Sequence, residues 1–125
     1  MLRLLLIGSG GFLGSICRYG LAGMVQRLSP EAIFPWGTVA VNLLGCLCIG
    51  GLAGLADTRH YFSAESRAFL FIGVLGGFTT FSTFGLETFN LLRDGDLSRA
   101  LGNALLQVFV GLFCVWLGYT AATWR

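Results

Sequence analysis

Four long apolar stretches, separated by short polar ones, make up almost the whole chain: residues 4–25, 36–56, 68–86 with an extension to 92, and 100–124. About 20 mostly apolar residues suffice to cross a bilayer as a helix, so each stretch predicts one spanning helix. The separators QRLSPEAIFP, DTRHYFSAESR and RDGDLSR hold most of the charges and are rich in turn formers. Only Arg18 interrupts a run outright, and Glu87 stands near the end of the third.

Composition agrees with the pattern. Of the 125 residues, 55% are hydrophobic and 11% charged, and the mean hydropathy of +0.78 is far from that of soluble domains. The fold class expected is an all-α membrane protein of four helices, one domain over residues 1–125. Arg3 before an apolar stretch resembles the start of a secretory signal. The stretch is too long for one and has no small-residue cleavage site, so it reads as the first span. Cys17, Cys46, Cys48 and Cys114 all lie inside apolar runs, where thiols behave as small apolar residues. Cys46 and Cys48, two apart on a helix, point to different faces and do not share a metal. His60, beside Tyr61 and Phe62, reads as a surface or interfacial residue.

Orientation in a membrane follows the excess of basic residues on cytoplasmic loops. The chain has no lysine. With four spans, Arg3, Arg59, Arg67 and Arg125 share one side and Arg27, Arg93 and Arg99 the other, close to balance. A chain without bias inserts either way, and its simplest closed assembly is then an antiparallel homodimer. The other reading is that Arg3 and the amino terminus decide a single orientation. No internal repeat is evident, so any inverted symmetry must come from a second copy. A single 13.4 kDa bundle also leaves little room for an internal pathway. The G-x-x-x-G pairs Gly10/Gly14, Gly50/Gly54 and Gly73/Gly77 suit close helix packing.

Polar residues inside the runs need partners where water is absent. Asn42 lies in WGTVAVNLLG, where it either bonds a neighbouring helix or serves a pathway, and Arg18 follows GSGGFLGSIC. Arg18 should face protein, snorkel to an interface or line a wet vestibule. Asn103 and Gln107, four apart, share a face of the fourth helix, with Ser98 and Gly111 near the same stripe.

The segment GVLGGFTTFSTFGLE concentrates glycines, hydroxyls and phenylalanines. Gly76 and Gly77 followed by Thr79 and Thr80 predict a break in the third helix, and irregular backbone at membrane depth belongs where it is buried, binds an ion or lines a cavity. Beyond the break, helical spacing puts Phe78, Phe81 and Phe84 on one stripe and Thr79, Ser82 and Thr83 on another. Phenyl ring edges carry positive potential and hydroxyls donate hydrogen bonds, a combination suited to a small anion that must be attracted and then released.

GGFTTFSTFGLE, with GGFLGSICRY and WGTVAVNLLG before it, resembles the Fluc fluoride channels, also called the CrcB family, over essentially the whole chain. The resemblance implies a passive fluoride channel of the inner (plasma) membrane, built as a dual-topology antiparallel homodimer with two pores and a sodium ion at its centre. It implies a fluoride pathway of Asn42, Phe81, Phe84, Thr80, Ser82 and Thr83 with Arg18 at the vestibule, and sodium held by backbone carbonyls of Gly76 and Thr79. Phe78 stays outside the ion path. Tyr or Ser often marks the polar track of the fourth helix in the family; here Asn103, Gln107 and Gly111 stand near those places. No enzyme chemistry and no nucleic-acid partner are implied. The alternative is a small multidrug-type proton-coupled transporter, which needs a membrane-embedded carboxylate; the first span has none and Glu87 comes late in the third. A membrane scaffold without transport fits the glycine pairs and leaves the broken helix unexplained.

Overall fold

The computed structural model of the protein describes every residue except Pro30, Ala32, His60 and Arg125, and the side chain of Arg59. The reading of His60 as a surface residue, and the parts played by Arg125 and the Arg59 side chain in the charge balance, lie outside the described residues. The described residues are helical almost throughout. α1 is Leu2–Leu28 and α2 is Trp36–Arg59. The third span, Ala64–Arg93, is split into α3, residues 64–78, and α4, Phe81–Arg93; the fourth is α5, Leu97–Thr123. All four spans are long and apolar enough to cross a membrane.

The helices pack as two tight pairs, α1 with α3 and α2 with α5. Glycine is what lets each pair close. A Cβ on Gly10 would stand 2.6 Å from the Phe69 carbonyl oxygen, and one on Gly73 would stand 2.9 Å from that of Ile7. A Cβ on Gly77 would meet the Gly11 oxygen at 2.5 Å, and Gly14 lies against the backbone of Val74. In the other pair Gly50 lies against Val115, Gly118 against Leu47, and a Cβ on Gly54 would approach the Tyr119 oxygen at 2.8 Å. All three G-x-x-x-G pairs are therefore packing surfaces inside one chain, where backbones touch because no side chain separates them. Large apolar side chains such as Phe12, Phe109, Leu112 and Trp116 point outward, as a lipid-facing surface allows.

The connections follow the turn chemistry of the separators. α4 ends with Gly95 at φ 80°, its amide bonding Leu92 O at 3.0 Å while the Asp96 amide reaches Leu91 O at 2.9 Å. This left-handed closure suits glycine. Asp96 then caps α5 by accepting the Arg99 amide at 3.1 Å and also pairs with the Arg99 guanidinium, which in turn meets Glu31 at 2.6 Å. The Arg99 side chain holds the Asp96 carboxyl below the usual carboxylate range, with the Arg99 amide adding to the effect. At the start of α2, Gln26 of α1 accepts the Gly37 amide and donates to Phe34 O, both at 3.1 Å.

Two stretches widen from α to π geometry, Ala68–Leu75 in α3 and Leu106–Val110 in α5. Such turns recur at functional sites, and these two flank the break.

Candidate functional site

The break falls at Thr79 and Thr80, which are extended at φ −83°, ψ 159° and φ −151°, ψ 111°. Gly76 keeps helical angles, φ −63° and ψ −36°, so the chain leaves the helix later than the double glycine suggested. The physical reason lies in what each residue bonds. Gly77 is small because α1 presses on it, whereas Thr79 doubles its helical bond with a side-chain one and Thr80 gives its helical bond up for a side-chain partner. Thr79 sends both its amide and its Oγ1 to Leu75 O at 3.0 Å. Thr80 becomes the cap of α4, its Oγ1 accepting the Thr83 amide at 3.3 Å and donating to Thr83 Oγ1 at 2.9 Å.

The Thr80 N–H would reach the Gly76 carbonyl in a continuous helix. Instead it donates to Asn42 Oδ1 at 2.8 Å, and Asn42 Nδ2 donates back to Thr80 O at 3.1 Å. From there the bonds run on: Asn42 Nδ2 to Gln107 Oε1 at 2.6 Å, Gln107 Nε2 to Asn103 Oδ1 at 2.9 Å, Asn103 Nδ2 to Thr88 Oγ1 at 2.9 Å, and Thr88 Oγ1 to Phe84 O at 2.7 Å. Asn103 is fully buried. α2, α4 and α5 are thus stitched by one polar seam whose two ends are backbone groups of α4. Sequence spacing placed Asn103 and Gln107 on one face. Their link to Asn42, and the part of Thr88, were not foreseen, and no local signal carries them.

Beside the seam lies an open cleft of about 360 Å³ whose lining includes Asn42, Gly76, Thr79, Phe81, Phe84 and Gln107. Thr80 joins this lining; Ser82 is exposed next to it, and Thr83 is bound to Thr80. The Phe81 and Phe84 rings stand 5.4 Å apart, inclined at 57°, and Phe81 is 83% exposed in the single chain. Arg18 is half-buried on α1, outside that lining, with no hydrogen-bond or ion-pair partner among the described residues.

Three expectations change. Phe78 is buried before the break, and the extended residues between it and Phe81 end the helical register, so only Phe81 and Phe84 form a pair. Thr79 turns back to Leu75, and Thr80 takes its place among the hydroxyls. Ser98 bonds Asp96 at the start of α5 and does not join the Asn103 seam. A further pair was not foreseen: Thr38 Oγ1 donates to Glu87 Oε1 at 2.7 Å, tying α2 to α4, while Glu87 Oε2 is buried without a partner. No group of three or more His, Cys, Asp or Glu side chains that could hold a metal occurs among the described residues. Cys46 lines the cleft and the other three thiols do not.

Residues 5–119 match the family model described as CrcB-like protein, Camphor Resistance (CrcB). Three similar proteins carry the name fluoride-specific ion channel FluC. That of Methylobacillus flagellatus is 46% identical over 95% of this chain and 93% of its own. That of Opitutus terrae is 49% identical over 94% and 90%, and that of Thermus thermophilus 49% identical over 95% and 94%. With a four-span architecture and a match over nearly its full length, the chain belongs to the CrcB family.

Proposed function

We propose that the protein is a fluoride-selective channel that lets fluoride leave the cell passively across the inner membrane and so lowers its cytoplasmic concentration. The carrying observation is the meeting of the Phe81 and Phe84 rings with Asn42 in one cleft at the helix break. Relatives named as fluoride-specific channels, 46% identical in one case, support the choice of ion. A small anion leaving water needs donors and positive potential without a grip too strong for release. Ring edges of Phe81 and Phe84 supply the potential, Asn42 and the hydroxyls of Ser82 and Thr83 supply donors, Thr80 positions Thr83 by giving it its own hydroxyl hydrogen, and Arg18 draws anions to the mouth.

The reading includes an antiparallel homodimer. Arginines split nearly evenly between the two sides, and Phe81 together with the Gly76 backbone stands exposed in the single chain. A second copy would cover these groups and complete the pathway. The loss of the Thr80 N–H leaves the Gly76 carbonyl without its helical partner, and Thr79 is extended beside it. Those two carbonyls fit a monovalent cation. Two chains would supply four oxygens, and no carboxylate lines the cleft to favour a divalent ion. A bound sodium would be structural and would offset repulsion toward anions nearby.

The proton-coupled alternative needs a carboxylate at the transport site. Glu87 is instead bonded to Thr38 and is absent from the cleft lining. The reading is tested by expressing the protein in a bacterium that lacks its own fluoride exporter. Growth in millimolar-range fluoride should return with the intact chain and not with an Asn42→Asp chain; failure of the intact chain, expressed in the membrane, would contradict it.

A further inference from the structure

While Asn42 and Gln107 touch directly, the direction of every bond in the seam is fixed from one end. A backbone N–H only donates, so Thr80 makes the Asn42 atom facing it Oδ1; the amide hydrogens of Asn42 then point to Thr80 O and Gln107 Oε1. Both are committed. Gln107 must present its oxygen to Asn42 and its nitrogen to Asn103, Asn103 must present its nitrogen to Thr88, and the Thr88 hydroxyl hydrogen goes to Phe84 O. In this state the Gln107 oxygen fills the place on the Asn42 N–H that an anion would take.

The same atoms support one other arrangement. If Gln107 and Asn103 each turn their amides over, Thr88 Oγ1 donates to Asn103 Oδ1 and Asn103 Nδ2 donates to Gln107 Oε1. Gln107 Nε2 then faces Asn42 Nδ2, donor against donor. That meeting is repulsive when nothing lies between and favourable when a small anion does. Every other polar atom stays paired except that Phe84 O loses the hydroxyl it shared, a helical carbonyl that can spare one of its two acceptor sites.

We propose that the Gln107–Asn103–Thr88 seam is a two-polarity relay: closed on itself without the ion, and reversed when fluoride binds, so that Gln107 adds a second N–H donor beside that of Asn42. This deepens the fluoride reading and rests on it. Gln107 lines the cleft and the π turn Leu106–Val110 carries it, which places the amide at the ion path instead of within the helix packing. The relay also favours fluoride over larger halides: the turned Gln107 amide must draw back from its 2.6 Å contact with Asn42 to admit an ion to both N–H groups, and a compact, strong acceptor asks the least movement, while chloride is larger and accepts weakly. Unpaired buried donors are costly, so an ion that satisfies them poorly does not hold the reversed state.

The chain has two glutamines, Gln26 and Gln107, so the protein labelled with side-chain 15N-glutamine gives two amide groups. The Gln107→Met variant assigns them, and Gln26, braced at the start of α2, serves as reference. In purified full-length protein, replacing sodium chloride by sodium fluoride should move the Gln107 side-chain amide protons and leave those of Gln26 in place, and Gln107→Met should lower fluoride flux in liposomes by about tenfold or more. If the wild-type protein conducts fluoride while the Gln107 amide does not move, or moves no more than that of Gln26, the relay is wrong and the channel reading stands. If the wild type conducts no fluoride, the channel reading falls and the relay with it.

Discussion

Asn42 and Thr80 are locked together by two hydrogen bonds, Thr80 N–H to Asn42 Oδ1 at 2.8 Å and Asn42 Nδ2 to Thr80 O at 3.1 Å. The side chain of α2 thereby copies a backbone pairing and holds the third span open where its own helix bond is missing. Asn42→Asp keeps the acceptor for the Thr80 amide but turns a second oxygen toward Thr80 O and puts charge in the anion path. Fluoride flux should fall by about tenfold or more, with a stability loss of about 1–3 kcal/mol from the unmatched oxygens. Liposome flux and thermal unfolding in detergent check both parts.

Replacing Phe81 or Phe84 by Ile keeps an apolar side chain and removes the ring edge. Phe81 contributes little to the packing of the single chain, being largely exposed, so the fold should persist. Flux should nevertheless drop by about tenfold, the order expected when a favourable ring contact is lost in a low-dielectric path. Unchanged flux in both variants would return the pair to packing.

Glycine substitutions separate close packing from helix content. Gly10→Ala would set a Cβ 2.6 Å from the Phe69 oxygen, whereas Gly8→Ala meets nothing within 4 Å. The first should destabilise by about 1–3 kcal/mol. The second should be neutral or stabilising. Equal unfolding temperatures for the two would contradict the α1–α3 contact described above.

With sodium replaced by a larger monovalent cation during purification and reconstitution, fluoride flux should fall or the dimer should loosen, while chelators of divalent metals should change nothing. Equal flux and equal dimer stability, after times long enough for a buried ion to exchange, would leave the Gly76 and Thr79 carbonyls as pore lining only. Tags on the carboxyl terminus should be found on both sides of the membrane; confinement to one side would refute the antiparallel pair.

Much of this architecture is legible in the sequence because bilayer depth and residue polarity act over whole stretches. The four spans extend only a few residues beyond the apolar runs, since polar residues such as Arg27 and Thr58 still sit on helix ends. The break was legible from TT after GG, but that it falls on the threonines and not on the glycines was not. Glycine is ambiguous between flexibility and close approach, and only the contact of Gly77 with α1 decides for the latter. The Asn42–Gln107 bond was invisible for a different reason: it joins residues 65 apart, and its partners are fixed by how α2 and α5 pack. Asn103 illustrates the limit, an amide whose face was foretold and whose complete burial was not.

The central claim meets its most direct test in vesicles loaded with equal fluoride and chloride, reconstituted with the purified protein, and followed with an electrode for each ion once potassium and valinomycin remove the voltage block. Fluoride should leave rapidly without a proton gradient while chloride stays behind. Retention of fluoride, release of both ions alike, or a requirement for a proton gradient would contradict a passive fluoride channel.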